Sequence, residues 1–223
     1  IYDECIFVAS NIRRLNIEKN IRYREIAVIC RDTAKYSGII EQAFAEYDIP
    51  LFIDAKKPAT GTAIIRFAIN ALLGAKSFSS ENILAMLKSG ITFANADEVM
   101  LLDDYVTVWS IHGDDWIREF TGNPRGMGEE FTDDDKAALA GLNNLRNEII
   151  SPLTALQAAL KKGVAKNISA ALYQFIIDTK ANVKLNEYCE NLSKGGDNTS
   201  ADVQRRAYDM LISVLDQLCM ALD

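Results

Sequence analysis

The residues of this chain that could take part in chemistry are mainly carboxylates, which occur in three short runs. The runs are Asp103-Asp104, Asp114-Asp115 and Asp133-Asp134-Asp135. Carboxylates that converge from separate elements can hold magnesium for nuclease chemistry. Aspartates that are adjacent in sequence point in different directions, so we interpret these runs as helix caps and solvated surface.

The other reactive residue types do not form a recognisable catalytic or metal-binding pattern. His112 is the single histidine, and no G-x-S-x-G motif accompanies it. The cysteines Cys5, Cys30, Cys189 and Cys219 lack C-x-x-C spacing, which disfavours a zinc or iron–sulfur site. Neither G-x-x-x-x-G-K-[ST] nor G-x-G-x-x-G is present. We therefore predict that this chain alone is not an enzyme and holds no cofactor.

The charge balance disfavours autonomous binding to duplex DNA. The chain carries 24 basic and 31 acidic side chains, a net charge of -7. A DNA-binding protein gains affinity from a basic surface that releases counterions from the phosphates. The basic groups here are short: Arg13-Arg14, Arg22 and Arg24 around Tyr23, and Lys56-Lys57. We interpret them as solvated surface.

The sequence predicts a cytoplasmic protein that does not span a membrane. No apolar run approaches the ~18 residues of a membrane-spanning helix, and the first residues lack signal-peptide features. The dispersed cysteines fit a reducing compartment. The chain begins at Ile1 and ends within a helical pattern at Asp223. We therefore expect a piece of a longer protein.

The first 57 residues show alternating helix and strand patterns. Helical periodicity covers residues 3–16 and 33–47, and Asp32 or Thr33 can cap the second helix. The apolar runs 26–30 and 51–53 are typical of strands buried in a parallel sheet. This α-β-α-β order predicts a partial α/β domain, whose missing strands must come from outside the chain.

Residues 58–223 show helical periodicity and predict a large α-helical subdomain. Trp116 and Phe120 are expected to pin an irregular loop over residues 112–131. A long apolar seam over 139–160 predicts one helix, which Pro152 either bends or divides. The predicted helices are 60–74, 79–90, 95–110, 132–160, 167–180, 183–192, and a last one whose buried face is Val203, Ala207, Met210, Leu211, Val214 and Leu218.

Three stretches of the chain carry motifs that are similar to those of a known protein family. The first, residues 23–32, is YREIAVICRD, which is similar to the strand motif of the second RecA-like domain in UvrD-like helicases. The second, residues 40–58, contains Tyr47 followed by IPLFID and KKP. The third lies within 87–116 and contains LLDDYV and two tryptophans. Together these stretches resemble the AddB family, the B subunits of bacterial helicase-exonucleases. The family pattern SxHPL after Pro58 is absent, since ATGTA stands there.

The resemblance implies a partial second RecA-like domain at 1–57 and an inserted α-helical subdomain at 58–223. It also implies an AddA-like helicase-nuclease partner, contact with DNA within the complex, and a role in double-strand-break resection and recombinational repair. ATP, magnesium and an iron–sulfur cluster would belong to other parts of the longer protein. By the same resemblance, Arg31 would contact nucleotide phosphate, while Cys30 replaces an aromatic residue that stacks on adenine.

The function predicted from the resemblance is a non-catalytic module that scaffolds the partner subunit and part of the DNA path. Two alternatives stay open. The chain could belong to an active UvrD-like superfamily 1 helicase, in which Arg31 serves ATP turnover. It could also be an unrelated helical interaction module, in which case its sheet would be complete within the chain.

Overall fold

Helices form all the regular secondary structure of the computed structural model in its described residues, which are 1–53, 59–128 and 130–221. Short 3₁₀ turns occur at Tyr23–Glu25, Ala59–Gly61 and Gly113–Trp116. The α-helices of this part of the chain are α1 (Tyr2–Lys19), α2 (Thr33–Glu46), α3 (Ala63–Ser77), α4 (Ser80–Leu87), α5 (Ala96–Val108), α6 (Asp133–Lys162), α7 (Ala165–Asp178), α8 (Ala181–Lys194) and α9 (Asn198–Ala221).

The chain divides into two compact units, residues 1–58 and 59–223. The sequence places the change from a mixed to a helical pattern between residues 57 and 58. Lys56, Lys57 and Pro58 lie outside the described residues.

In the first unit, α1 packs against α2 around a small apolar core. The buried members of this core are Ala9, Ile12, Phe44 and Ile49. Side chains at the edge of the helix pair join the two elements, since the Tyr2 hydroxyl donates to Glu46 Oε1 over 2.9 Å. Asp32 begins α2 as predicted, because its carboxylate accepts the backbone N–H of Lys35.

The predicted α/β class is wrong for this chain. Residues 26–30 and 51–53, expected as buried strands, contain no strand in the described structure. Ile29 is 94% exposed and Phe52 is 89% exposed. A strand requires a neighbouring strand to satisfy its backbone N–H and C=O groups, and the described part of the chain supplies none. The apolar composition of these two segments favours burial, but the segments form no sheet in the described residues.

The second unit has a large core to which α3 contributes extensively. Helix α3 packs against α4, α6 and α9, while α7 packs against α6 and α9. The rings of Phe67 on α3 and Phe175 on α7 lie 5.6 Å apart between centroids. Burial of large apolar side chains contributes about 1.5–3 kcal/mol each, so this core dominates the stability of the unit.

Helix α6 is continuous over 30 residues although it contains Pro152. Thr132 caps its first turn in a reciprocal arrangement with Asp135. Gly163 ends it with a positive φ of 70°, which glycine adopts without steric cost. No second helix begins at Ser151, so of the two alternatives for this region, division of the helix is wrong.

The irregular segment 112–131 is pinned as predicted. Trp116 and Phe120 are buried. The Asn143 side chain on α6 bonds both backbone groups of Phe120, over 2.8 Å and 2.9 Å. The Arg146 guanidinium donates to the backbone carbonyl of Trp116 over 3.1 Å. The loop is therefore held by polar contacts with α6 as well as by its aromatic rings.

The buried face predicted for the last helix is only partly right. Ala207 is buried, but Met210, Val214 and Leu218 are 39–45% exposed. Leu215 is buried instead. Among the described residues, no helix combines the length and the apolar character needed to cross a membrane.

Candidate functional site

An apolar groove of about 650 Å³ lies in the first unit. Its walls come from α1, α2 and the two extended segments that were predicted to be strands. The lining includes Ile12, Ile40 and Phe44 from the helices, with Val28 and Phe52 from the extended segments. Val28 and Phe52 remain exposed, so the groove is open to solvent. We refer to it as the apolar groove.

The backbone along the groove is available for hydrogen bonding. Among the described residues, the N–H and C=O groups of residues 27–30 and 51–53 make no hydrogen bond to the protein. The 3₁₀ turn Tyr23–Glu25 ends at Ile26, whose backbone N–H donates to the carbonyl of Tyr23. Extended backbone with free donors and acceptors can bind another extended peptide. The groove thus combines apolar contact area with directional polar groups.

Polar side chains line one part of the groove. They include Arg24, Cys30, Thr33, Tyr36 and Ser37. The Tyr36 hydroxyl donates to Glu4 Oε2 over 3.2 Å. This hydrogen bond to a carboxylate raises the pKa of the Tyr36 phenol, which keeps its proton and remains a donor. The arrangement suits binding by shape and hydrogen bonds.

Arg31, the residue predicted to contact nucleotide phosphate, lies beside the groove and is exposed. Within the described structure its guanidinium has no hydrogen-bond or ion-pair partner. A salt bridge at the end of a strand, which would be the structural explanation for Arg31, is therefore not formed there. Cys30 lines the groove. Because a cysteine has no ring, it cannot stack on a nucleotide base. The phosphate contact stays a prediction.

The carboxylate runs act as caps and surface pairs, as interpreted from the sequence. The Asp135 carboxylate accepts hydrogen bonds from Arg125 Nε and Nη2, over 2.9 Å and 2.8 Å, and from the backbone N–H of Thr132 over 2.9 Å. These bonds hold the pKa of Asp135 far below its usual range. Asp103 pairs with Lys88 Nζ at 2.7 Å. Aspartates engaged in this way are already satisfied by protein donors.

The residues of this chain do not fit the ligand set of an iron–sulfur cluster. Cys5 and Cys30 belong to the first unit, whereas Cys189 and Cys219 belong to the second. Burial raises the pKa of the Cys189 thiol, which disfavours the thiolate needed for ligation. In the ranges 1–53, 59–128 and 130–221, no three His, Cys, Asp or Glu side chains come together as metal ligands.

Sequence reasoning missed the apolar groove because it assigned the same residues to a sheet interior. The available signal was the shortage of partners, since two short strands cannot cover each other's faces. Arg31 is the single site residue that the sequence predicted, and it lies next to the groove. The groove is therefore a binding surface found from the structure.

No protein-family model matches the chain. The chain is similar, however, to curated proteins named as the B subunit of an ATP-dependent helicase/deoxyribonuclease. The relative from Clostridium perfringens is 31% identical over 227 residues, covering 97% of this chain and 20% of the relative. The relative from Clostridioides difficile is 29% identical over 225 residues, covering 98% and 19% respectively. The relative from Clostridium novyi is 31% identical over 219 residues, covering 97% and 18%.

The chain spans about one fifth of the length of these relatives. The similarity extends over nearly all of this chain, including both units, and it agrees with the motifs in residues 23–116. The chain thus corresponds to one segment of the AddB family, the B subunits of ATP-dependent helicase/deoxyribonucleases.

Proposed function

We propose that this chain is a non-catalytic module of an AddB-type subunit that acts in double-strand-break resection and recombinational repair. Its role is to scaffold the AddA-like partner subunit and part of the DNA path in the cytoplasm. ATP, magnesium and an iron–sulfur cluster would serve other parts of the complex. The names of the relatives support the assignment to a helicase/deoxyribonuclease subunit.

The observation that carries the scaffolding role is the apolar groove of the first unit. It exposes Phe52 and Val28 to solvent, beside backbone groups without protein partners in the described structure. An exposed apolar surface of this kind is typical of an interaction site. A second polypeptide segment that fills the groove would bury these side chains and satisfy the backbone groups.

The groove is tested in a full-length AddB-type protein that carries this segment. Phe52→Glu places a charge in the groove and should reduce recovery of the assembled complex with the AddA-like partner. Ile17→Glu is the matched control, because Ile17 on α1 is 70% exposed and does not line the groove. Copurification and thermal unfolding are both measured. Equal behaviour of the two variants would count against a scaffolding groove.

The helicase alternative is tested at Arg31. A non-catalytic module predicts that Arg31→Ala leaves ATP turnover by the full-length AddB-type protein, assayed without its partner subunit, within about twofold of wild type. A motor that uses this arginine on nucleotide phosphate would lose turnover by about 100-fold or more. Steady-state ATPase rates with saturating DNA separate the two outcomes.

A further inference from the structure

A recess of about 460 Å³ lies in the second unit, between the end of α4 and the first half of α5. Small residues and aliphatic side chains form most of its lining, namely Leu87, Gly90, Ala94, Ala96, Val99 and Met100. Leu87, Ala94 and Val99 are members of the buried core, so the recess extends down to that core. We refer to this site as the apolar recess.

Local bonds fix the walls of the apolar recess. Lys88, which follows the last residue of α4, pairs with Asp103 on α5 over 2.7 Å. Asn95 begins α5: its side-chain oxygen accepts the N–H of Glu98, whose carboxylate accepts the N–H of Asn95, each over 2.9 Å. Between the helices, Gly90 has a φ of 86°, which glycine adopts without steric cost. The recess is therefore formed before any partner binds, which lowers the cost of binding.

The polar side chains of the apolar recess are already engaged within the protein. Lys88 is the one cation among the described residues that line it, and Asp103 neutralises that charge, so nucleic-acid phosphates gain no free cation there. The Thr92 hydroxyl accepts the N–H of Ala94 over 3.4 Å. A small-molecule site has polar groups that converge on the ligand. The apolar recess suits an apolar side chain instead.

Met100 adds exposed apolar surface to this site. It is 62% exposed, and Leu101, the next residue of α5, is 39% exposed. Methionine side chains are flexible and adapt to the shape of a partner, so they are frequent at binding surfaces. In protein interfaces, an apolar anchor fills a pocket and polar groups around it exclude water. The apolar recess with its neighbouring ion pair has this arrangement.

The rest of the same subunit is the nearest source of an apolar anchor. The chain spans about one fifth of its relatives, so about four fifths of an AddB-type polypeptide lies outside these residues. A segment of the same polypeptide has a higher effective concentration at the recess than a separate protein.

We propose that the apolar recess receives a bulky aliphatic or aromatic side chain from a segment of the AddB-type subunit outside residues 1–223. This side chain contacts Leu87, Val99 and Met100, while the pair of Lys88 with Asp103 shields the contact from water. The inference depends on the family of the chain and on the second unit alone. It is therefore independent of the apolar groove and of the scaffolding role proposed for it.

Photo-crosslinking identifies the occupant in the full-length AddB-type subunit. The photoreactive amino acid p-benzoylphenylalanine replaces Met100, and the subunit is irradiated alone and in the complex with its AddA-like partner. Mass spectrometry should find a link to a segment outside residues 1–223 already in the subunit alone. A link to the partner only, a link within residues 1–223 only, or no link would overturn the proposal.

Cysteine labelling measures how well the apolar recess is covered. In the full-length subunit, the thiol of Met100→Cys should react with N-ethylmaleimide at least about 10-fold more slowly than in the same variant unfolded in urea. Peptide mass spectrometry reads each thiol separately. Met127→Cys is the control, because Met127 is 74% exposed and does not line the recess. Equal protection at the two positions, or none at position 100, would overturn an anchored recess.

A charge in the apolar recess should release the anchor. Ala96 is the first residue of α5, where an aspartate suits the helix dipole, so Ala96→Asp leaves the helix itself intact. Added to Met100→Cys, it should speed labelling at position 100 by about fivefold or more. Ala165→Asp, at the first residue of α7, is the matched control and should leave the rate unchanged. An unchanged rate in the Ala96→Asp variant, with wild-type circular dichroism, would overturn the proposal.

Discussion

The two units of the chain bury their apolar side chains to very different extents. In the second unit, 34 described residues join one buried core. In the first unit the corresponding cluster has four, while Ile29 and Phe52 are almost fully exposed. A large apolar side chain left in water forgoes about 1.5–3 kcal/mol of stabilisation. The second unit thus obtains its stability internally, whereas the described residues of the first unit leave large apolar side chains exposed.

The units also differ in charge. Residues 1–58 carry nine acidic and nine basic side chains, whereas residues 59–223 carry 22 and 15. The whole net charge of -7 therefore resides in the second unit. The comparison therefore separates a neutral unit with an open apolar groove from an acidic unit with a large buried core.

The largest expected effect tests the internal stability of the second unit. Trp116 is fully buried, and its indole N–H donates to Ser80 Oγ over 2.8 Å. Trp116→Ala should lower the free energy of unfolding by about 3–5 kcal/mol, because it leaves a cavity and removes the hydrogen bond from the indole. Urea denaturation followed by circular dichroism measures it. Met127→Ala, at a 74% exposed position, is the control. A loss below about 1 kcal/mol would contradict the role of this core.

A smaller effect is expected from the corresponding substitution in the first unit. Phe44 is 3% exposed and borders the apolar groove. Phe44→Ala should cost about 2–3 kcal/mol, because neighbours next to an open groove can relax into the space that the ring leaves. Amide hydrogen exchange should show the loss of protection in α1 and α2. Phe7→Ala, at a 69% exposed position on α1, should change little. A loss larger than that of Trp116→Ala would reverse the comparison.

The smallest effect concerns pH and the cap of α6. The pKa of Asp135 is lowered on folding, first by hydrogen bonds from Arg125 and then by those from Thr132. Its contribution is present above the unfolded pKa of about 4 and is lost as pH falls through the lower folded pKa. The stability difference between wild type and Asp135→Asn should therefore be largest near pH 7 and shrink towards pH 2. Thermal midpoints measure it.

Asp133→Asn is the control for this pH dependence. Asp133 pairs with Lys136 at 2.8 Å, but its side chain is 96% exposed. Screening by solvent makes such a pair nearly neutral for stability. A pH-independent difference between wild type and Asp135→Asn would show that the Arg125 pair does not act through ionisation of Asp135.

Local sequence signals predicted most of the helices correctly. Asp32 caps α2, and Thr132 with Asp135 caps α6, because these side chains bond backbone groups only a few residues away. The pinning of the loop by Trp116 and Phe120 was also predicted from residue type. Helix caps depend on residues that are close in sequence. The sequence of one chain therefore contains the information needed to predict them.

Predictions that depended on distant partners failed. Residues 26–30 have the composition of a buried strand, but burial requires other elements to cover both faces. The exposed Met210 on α9 shows the same limit, since periodicity finds an apolar stripe without showing which elements pack on it. The close packing of Gly122 against the indole of Trp109 escaped detection because the two residues meet only after the loop has folded back.

Gly122 has a consequence for comparing sequences. Even the smallest side chain at this position would overlap the indole of Trp109, so the ring would have to leave its place. Glycine at 122 and tryptophan at 109 are therefore expected to vary together. A relative with a side chain at the position of Gly122 is expected to have a smaller residue in place of Trp109.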